Sequence, residues 1–99
     1  MSSLVGRYVL VRGVNSGIKF GKLEEKLGRT TILSDCRRIW SCNGAFSLNE
    51  ISVYGVAKPG QCKFSCKVEY QEILDTCEIL ILTNKAKDNL YKVEDSEID

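Results

Sequence analysis

The first part of the chain alternates in a pattern that only extended backbone produces. Over residues 7–14, large and β-branched side chains repeat every second position, which is the side-chain period of a β-strand. Asn15, Ser16 and Gly17 follow, and residues of these types favour tight turns. A second strand is predicted over residues 18–27, with Gly28 in the next turn. The start of the chain therefore predicts an antiparallel meander of strands.

Four more strands and two short helices are predicted further along. The strands fall at residues 30–33, 37–42, 64–70 and 73–83. Asp35 is expected to end the strand over residues 30–33. The Ile- and Leu-rich last strand is expected to be the most buried. Ser47 and Glu50 match a capping box, so a helix is predicted over residues 48–54, ended by Gly55. The second helix is predicted over residues 84–91, with Ala86 and Leu90 facing inward.

These elements predict a small α+β domain. Its core is expected to be a mostly antiparallel bent sheet or partial barrel, with one or two short helices. Residues 1–91 are assigned to one globular domain, since 99 residues are too few for two cores. Residues 92–99 are predicted to be a disordered acidic tail. So small a core is marginal alone, which favours a homo-oligomer.

Composition excludes several functions. A net charge of +1 argues against general nucleic-acid binding and against a polybasic membrane binder. The chain has no histidine, which removes Ser–His and Cys–His nucleophiles and histidine metal sites. It also has no P-loop or deaminase signature. We therefore expect neither an enzyme nor a bound cofactor.

Five cysteines and no visible secretion signal predict free thiols in a reducing cytoplasm. The closest pair, Cys62 and Cys66, is separated by three residues and does not match the paired spacing of structural zinc sites. No metal site is therefore expected. Cys36, Cys42 and Cys77 are predicted to act as small buried hydrophobic residues on strands.

The densest candidate site lies at residues 37–49. On a strand, Arg38 and Trp40 project from one face, where an indole would stack on a base and a guanidinium would grip a phosphate. Arg37 points to the other face, toward a subunit contact or an acidic partner. The alternative is a Trp40 buried in the core, with Arg38 stacked on it as a cation–π pair.

Residues that follow Trp40 extend this candidate site. The turn at Gly44 and Ala45 would allow close backbone approach, and Ser47 and Asn49 would read a base edge or a phosphate. Arg37, Phe20 and Lys19 are weaker ligand-binding candidates. A glycine at position 21 would let a ligand lie against the backbone, although a bulge or packing contact is the favoured alternative. A third, still weaker group is Lys63, Phe64 and Lys67.

Four short runs resemble a known family: GIKFGKLE at residues 17–24, RRIW at 37–40, GAFSL at 44–48 and CKF at 62–64. In order and spacing, residues 8–90 are similar to the phage-encoded anti-CBASS sponge proteins. That resemblance implies a tetrameric phage protein in the cytoplasm of the infected bacterium. It would sequester a cyclic dinucleotide immune signal, notably 3′,3′-cyclic GMP-AMP, without cleaving it. The alternative is a phage protein that binds and inhibits a host protein. Tyr54 and Tyr91, if exposed, would be compatible with such binding.

Overall fold

A computed structural model describes residues 4–42 and 47–95 of the chain. Within these residues it contains six strands and two α-helices. The strands are β1 (Tyr8–Gly13), β2 (Gly17–Leu27), β3 (Thr30–Cys42), β4 (Cys62–Phe64), β5 (Val68–Ile73) and β6 (Thr76–Ile81). The helices are α1 (Leu48–Tyr54) and α2 (Asn84–Tyr91), and a 3₁₀ turn spans Pro59–Gln61.

All strand pairs are antiparallel and belong to one open sheet. The order is β4-β3-β2-β1-β6, and β5 pairs with β3 on the same edge as β4. The predicted α+β class is therefore confirmed, and the sheet is not closed into a barrel. None of the described helices is long and apolar enough to cross a membrane.

The predicted break at Asp35 is wrong, because β3 runs through it as one strand of 13 residues. Phe20 pairs with Arg37 and Lys22 pairs with Ser34, so two residues of β3 lie opposite one residue of β2. This is a β-bulge. Asp35 has a φ of 50°, a left-handed conformation that aspartate tolerates better than most residues. The bulge accommodates the left-handed conformation of Asp35, so β3 continues past this residue.

Gly21 is the residue of β2 that faces this bulge. A Cβ atom at Gly21 would lie 2.7 Å from the Ser34 carbonyl oxygen and 3.2 Å from the Cys36 Cα. Both are backbone atoms, which cannot move away cheaply. The favoured alternative at this glycine, a bulge with close packing, is therefore what the structure contains.

The later strands differ from the prediction in length and burial. Residues 64–70 divide into the end of β4, a connection and the start of β5. The strand predicted over residues 73–83 is shorter, since a turn at Asp75 separates β5 from β6. Most of β6 is not buried, because it pairs only with β1 at the end of the sheet. The fully buried run is instead Val9 to Val11 in β1.

Both helices match their predicted bounds. The Ser47 hydroxyl accepts a hydrogen bond from the Glu50 amide at 3.2 Å, and Gly55 ends α1 with a φ of 81°. Ala86 and Leu90 of α2 are buried, as predicted. Both belong to a core cluster that also holds the Phe20 ring.

A second core cluster lies on the other face of the sheet. Its buried members come from β1, β2, β3 and β5: Val9, Val11, Leu23, Leu33, Cys36 and Ile73. Since β1 contributes Leu10 to the first cluster and Val9 and Val11 to the second, this strand is packed on both faces. This two-sided packing makes β1 the most buried strand.

The cysteine predictions are only partly correct. Cys36 and Cys77 are free, but Cys77 is exposed. Cys62 is disulfide-bonded. In the backbone register of β3 and β4, Cys62 pairs with position 42. Sequence spacing gave no sign of this register.

Among the described residues, no group of three or more Cys, Asp and Glu side chains could hold a metal ion.

Replacing Gly21 with alanine should destabilise the protein by about 1–3 kcal/mol, because the new methyl group overpacks the bulge. The measurement is urea unfolding. Gly60→Ala is the matched control, since a Cβ atom there meets nothing within 4 Å. We expect the control to stay within about 0.5 kcal/mol of the wild type. Equal stabilities for the two variants would contradict this reading of the bulge.

Candidate functional site

Arg38 and Trp40 form a cation–aromatic pair at the surface of β3. The guanidinium carbon of Arg38 lies 4.9 Å from the centroid of the indole ring. Trp40 is 56% exposed, so its ring is not part of either core cluster. The predicted shared face and the predicted exposure are both confirmed. The stacked pair proposed as the alternative is also present, but at the surface.

A shallow cleft of about 260 Å³ lies beside this pair. Its lining residues come from β3, β5 and the connection between β4 and β5: Arg38, Trp40, Ser65, Cys66, Val68 and Gln71. β4 and β5 follow the same edge of β3, but residues 65–67 leave the strand pairing between them. This interruption opens the edge of the sheet next to the indole. The space lined by these six residues is called the Arg38–Trp40 cleft.

Ser65 fixes the wall of the cleft to β3. Its amide donates to the Arg38 carbonyl at 2.8 Å, and its hydroxyl accepts from the Arg38 amide at 2.7 Å. The same hydroxyl donates to the Cys66 carbonyl at 2.9 Å. One serine side chain therefore replaces the missing strand pairing at this point.

The cleft carries uncompensated positive charge. Among the described residues, no carboxylate lies within ion-pair distance of Arg38. Lys19 is directly opposite Arg38 in the β2–β3 register. Its ammonium donates to the Ser16 carbonyl. Burial lowers the pKa of Lys19, and the neighbouring Arg38 lowers it further. The two cations therefore repel each other on one face, which favours an anion beside Arg38, the less buried of the two.

Two of the weaker ligand candidates lie inside the protein. Lys19 is only 1% exposed and Phe20 is fully buried. The Phe20 ring packs edge-to-face on Phe64 and Tyr91. Both side chains are buried, and neither lines the cleft. The alternation of side chains along β2 predicted that Lys19 and Phe20 lie on opposite faces of the sheet. It could not predict that both faces are buried at this point.

Arg37 is buried and bonded within the folded domain, and it does not line the cleft. It is 3% exposed and forms an ion pair with Asp95 at 2.9 Å. Its Nε donates to the backbone carbonyl of Ser65, and its Nη1 donates to those of Leu90 and Val93. Of the two roles predicted for Arg37, pairing with an acid is the one observed. Asp95, which was assigned to the acidic tail, is therefore bonded to the folded domain.

The predicted extension of the site around α1 is not part of the described cleft. Gly44 and Ala45 lie outside the described residues. Ser47 and Asn49 are exposed, but neither is among the residues that line the cleft. The Ser47 hydroxyl is used as the cap of α1, and α1 is only seven residues long.

The sequence missed the second wall of the cleft, formed by Ser65, Cys66, Val68 and Gln71. Ser65, Cys66 and Val68 fall within the strand predicted over residues 64–70, and a regular strand has no cleft. The weak candidate group at Lys63, Phe64 and Lys67 pointed to the correct neighbourhood. However, Phe64 is fully buried, and neither lysine lines the cleft.

Comparison with protein families identifies a match over residues 6–90 with a domain of unknown function, DUF6948. Since that match covers most of the chain, the protein belongs to this family. Searches of curated proteins and of solved structures found no match.

Cys36, two residues before Arg38, should produce a measurable pH dependence. Burial raises the pKa of its thiol from 9.0 to about 11. Between these values the unfolded state binds fewer protons than the folded state. The free energy of unfolding should therefore fall as the pH rises from 9 to 11, by at most about 1.4 kcal/mol per pH unit.

The measurement is urea unfolding of the wild type and Cys36→Ala at several pH values. The variant should be less stable at pH 8 and lose less stability toward pH 11. Burial is also the largest cause that raises the pKa of Tyr91, and this burial contribution is present in both proteins. Parallel stability curves would contradict the prediction.

Proposed function

We propose that this protein binds a cyclic dinucleotide immune signal without cleaving it and so sequesters the signal during phage infection. Two independent sources support the proposal. The family resemblance of the four sequence runs supports the class of ligand. The open cation–aromatic pair supports a binding surface for a purine phosphate, and it is the observation that carries the proposal.

The chemistry of the cleft suits an aromatic anion. The indole of Trp40 would stack on a purine, since base–aromatic stacking contributes about 1–3 kcal/mol per base. The guanidinium of Arg38 would bind a phosphate through charge-assisted hydrogen bonds. It already lies over the indole, which reduces the side-chain entropy lost on binding. Lys19 behind it adds to the positive potential without touching the ligand.

The size of the cleft favours a site completed by a second copy. A cavity of about 260 Å³ lies below the roughly 300–1,000 Å³ typical of enclosed ligand pockets. A ligand with two purines and two phosphates would extend beyond one such cleft. We therefore propose that each of two chains contributes one Trp40 and one Arg38, within the homo-oligomer that the resemblance implies.

Binding alone would suffice for the biological effect. A sponge lowers the free signal below the concentration that its effector needs, so affinity and abundance set the outcome. Slow release would keep the signal bound during infection. No covalent step is required, and the ligand would leave the protein unchanged after denaturation.

Arg38→Ala should weaken binding of 3′,3′-cyclic GMP-AMP by about tenfold or more, since hydrogen bonds to charged groups contribute roughly 1.5–3 kcal/mol. Isothermal titration calorimetry measures the affinity and the number of ligands per chain. Arg29→Ala is the control, because Arg29 is an exposed arginine that does not line the cleft. Thermal melts should show both variants close to wild-type stability.

Trp40→Ala should also weaken binding by about tenfold or more, with little loss of stability because the indole is mostly exposed. Trp40→Phe should retain part of the affinity. Heating the wild-type complex should return intact ligand by mass spectrometry. The proposal fails if the wild type binds no cyclic dinucleotide, or if both variants bind normally. A cleaved ligand would instead indicate an enzyme.

A further inference from the structure

The buried guanidinium of Arg37 lies between the segment 93–95 and the Arg38–Trp40 cleft. Toward the segment, its Nη1 donates to the Val93 carbonyl at 2.7 Å and its Nη2 to the Asp95 carboxylate at 2.9 Å. Toward the cleft, its Nε donates to the Ser65 carbonyl at 2.8 Å. One rigid, planar group therefore joins the segment to the wall of the cleft.

Further contacts strengthen both ends of this connection. Asp95 forms a parallel β-bridge with Phe64, the residue before Ser65. The Arg37 guanidinium carbon also lies 5.2 Å from the centroid of the Phe64 ring. On the cleft side, Ser65 holds the backbone of Arg38 through its amide and its hydroxyl. The same serine thus bonds to the arginine behind the sheet and to the arginine that lines the cleft.

We propose that the segment 93–95 controls the shape and the affinity of the Arg38–Trp40 cleft, with Arg37 and Ser65 as positioning residues. The effect on affinity rests on the proposed function, whereas the effect on shape does not. A buried charge requires its full set of partners. When Asp95 is removed, the guanidinium loses its one carboxylate partner among the described residues, and we expect its bond to Ser65 to weaken. The wall at residues 65–67 then loses the hydrogen bond from Arg37 to the Ser65 carbonyl, which holds it in place.

This connection makes the segment a natural regulatory element. Asp95 is half-exposed, with a side-chain exposure of 56%, so a competing cationic group can reach it. Competition for this carboxylate would release Arg37 and loosen the cleft without any contact with the ligand. Affinity for the anionic ligand would therefore respond to what binds at residues 93–95.

Trp40 provides a readout that needs no ligand, because it is the single tryptophan of the chain. Quenching of its fluorescence by iodide reports how open and how positive the cleft is. Asp95→Ala and Ser65→Ala should each change the quenching constant in the same direction. Asp95→Asn, which keeps an acceptor for the guanidinium, should have a smaller effect. Affinity for 3′,3′-cyclic GMP-AMP should fall about fivefold in Asp95→Ala.

Glu78→Ala is the matched control. It removes the other ion pair of the described residues, Arg12 with Glu78 at 3.8 Å, which lies on β1 and β6 and shares no residue with the cleft. The control should leave both readouts at wild-type values. Quenching in Asp95→Ala equal to that in the control would overturn the proposal. If the wild type binds no nucleotide, the proposed function fails, and the quenching comparison still decides whether the segment controls the cleft.

Discussion

The bulge at Asp35 determines which residues of β3 reach the surface. Before the bulge, Leu33 belongs to the second core cluster, and a regular strand would continue that face with residues 35, 37 and 39. After the bulge, Cys36 lies in the same cluster as Leu33, whereas Ile39 packs under the helices. One extra residue therefore turns Arg37 inward toward α2 and leaves Arg38 and Trp40 on the opposite face. The close approach at Gly21 is the steric condition for this arrangement.

The two adjacent arginines then have opposite electrostatic roles. Arg37 is buried and donates hydrogen bonds to three carbonyls and one carboxylate, since a buried cation needs such partners. Arg38 has only the indole as a side-chain partner among the described residues. A positive charge held by a ring in this way keeps its N–H groups available for an incoming anion. The difference between the neighbours arises from the face each one occupies, since their side chains are chemically identical.

Sequence alone could predict the local elements well and the site only in part. The capping serine, the glycine stop and the turn residues have strong local preferences, so α1, α2 and the first hairpin were predicted nearly to the residue. Alternation also placed Arg38 and Trp40 together. Three features could not be predicted, because each depends on register between distant strands: the continuity of β3 through Asp35, the break between β4 and β5, and the disulfide at Cys62. The wall of the cleft belongs to this group.

The same dependence on register explains why the cleft is shallow and still well defined. Its two walls, at residues 38–40 and 65–71, come from segments that are far apart in sequence, and hydrogen bonds through Ser65 hold them together. Only Val68 among the lining side chains is a large aliphatic residue, and it is 38% exposed. The cleft therefore offers a stacking surface and a charge but little apolar enclosure. Such a surface favours a flat, anionic ligand over an apolar one, and it gains enclosure only when a second surface closes over the ligand.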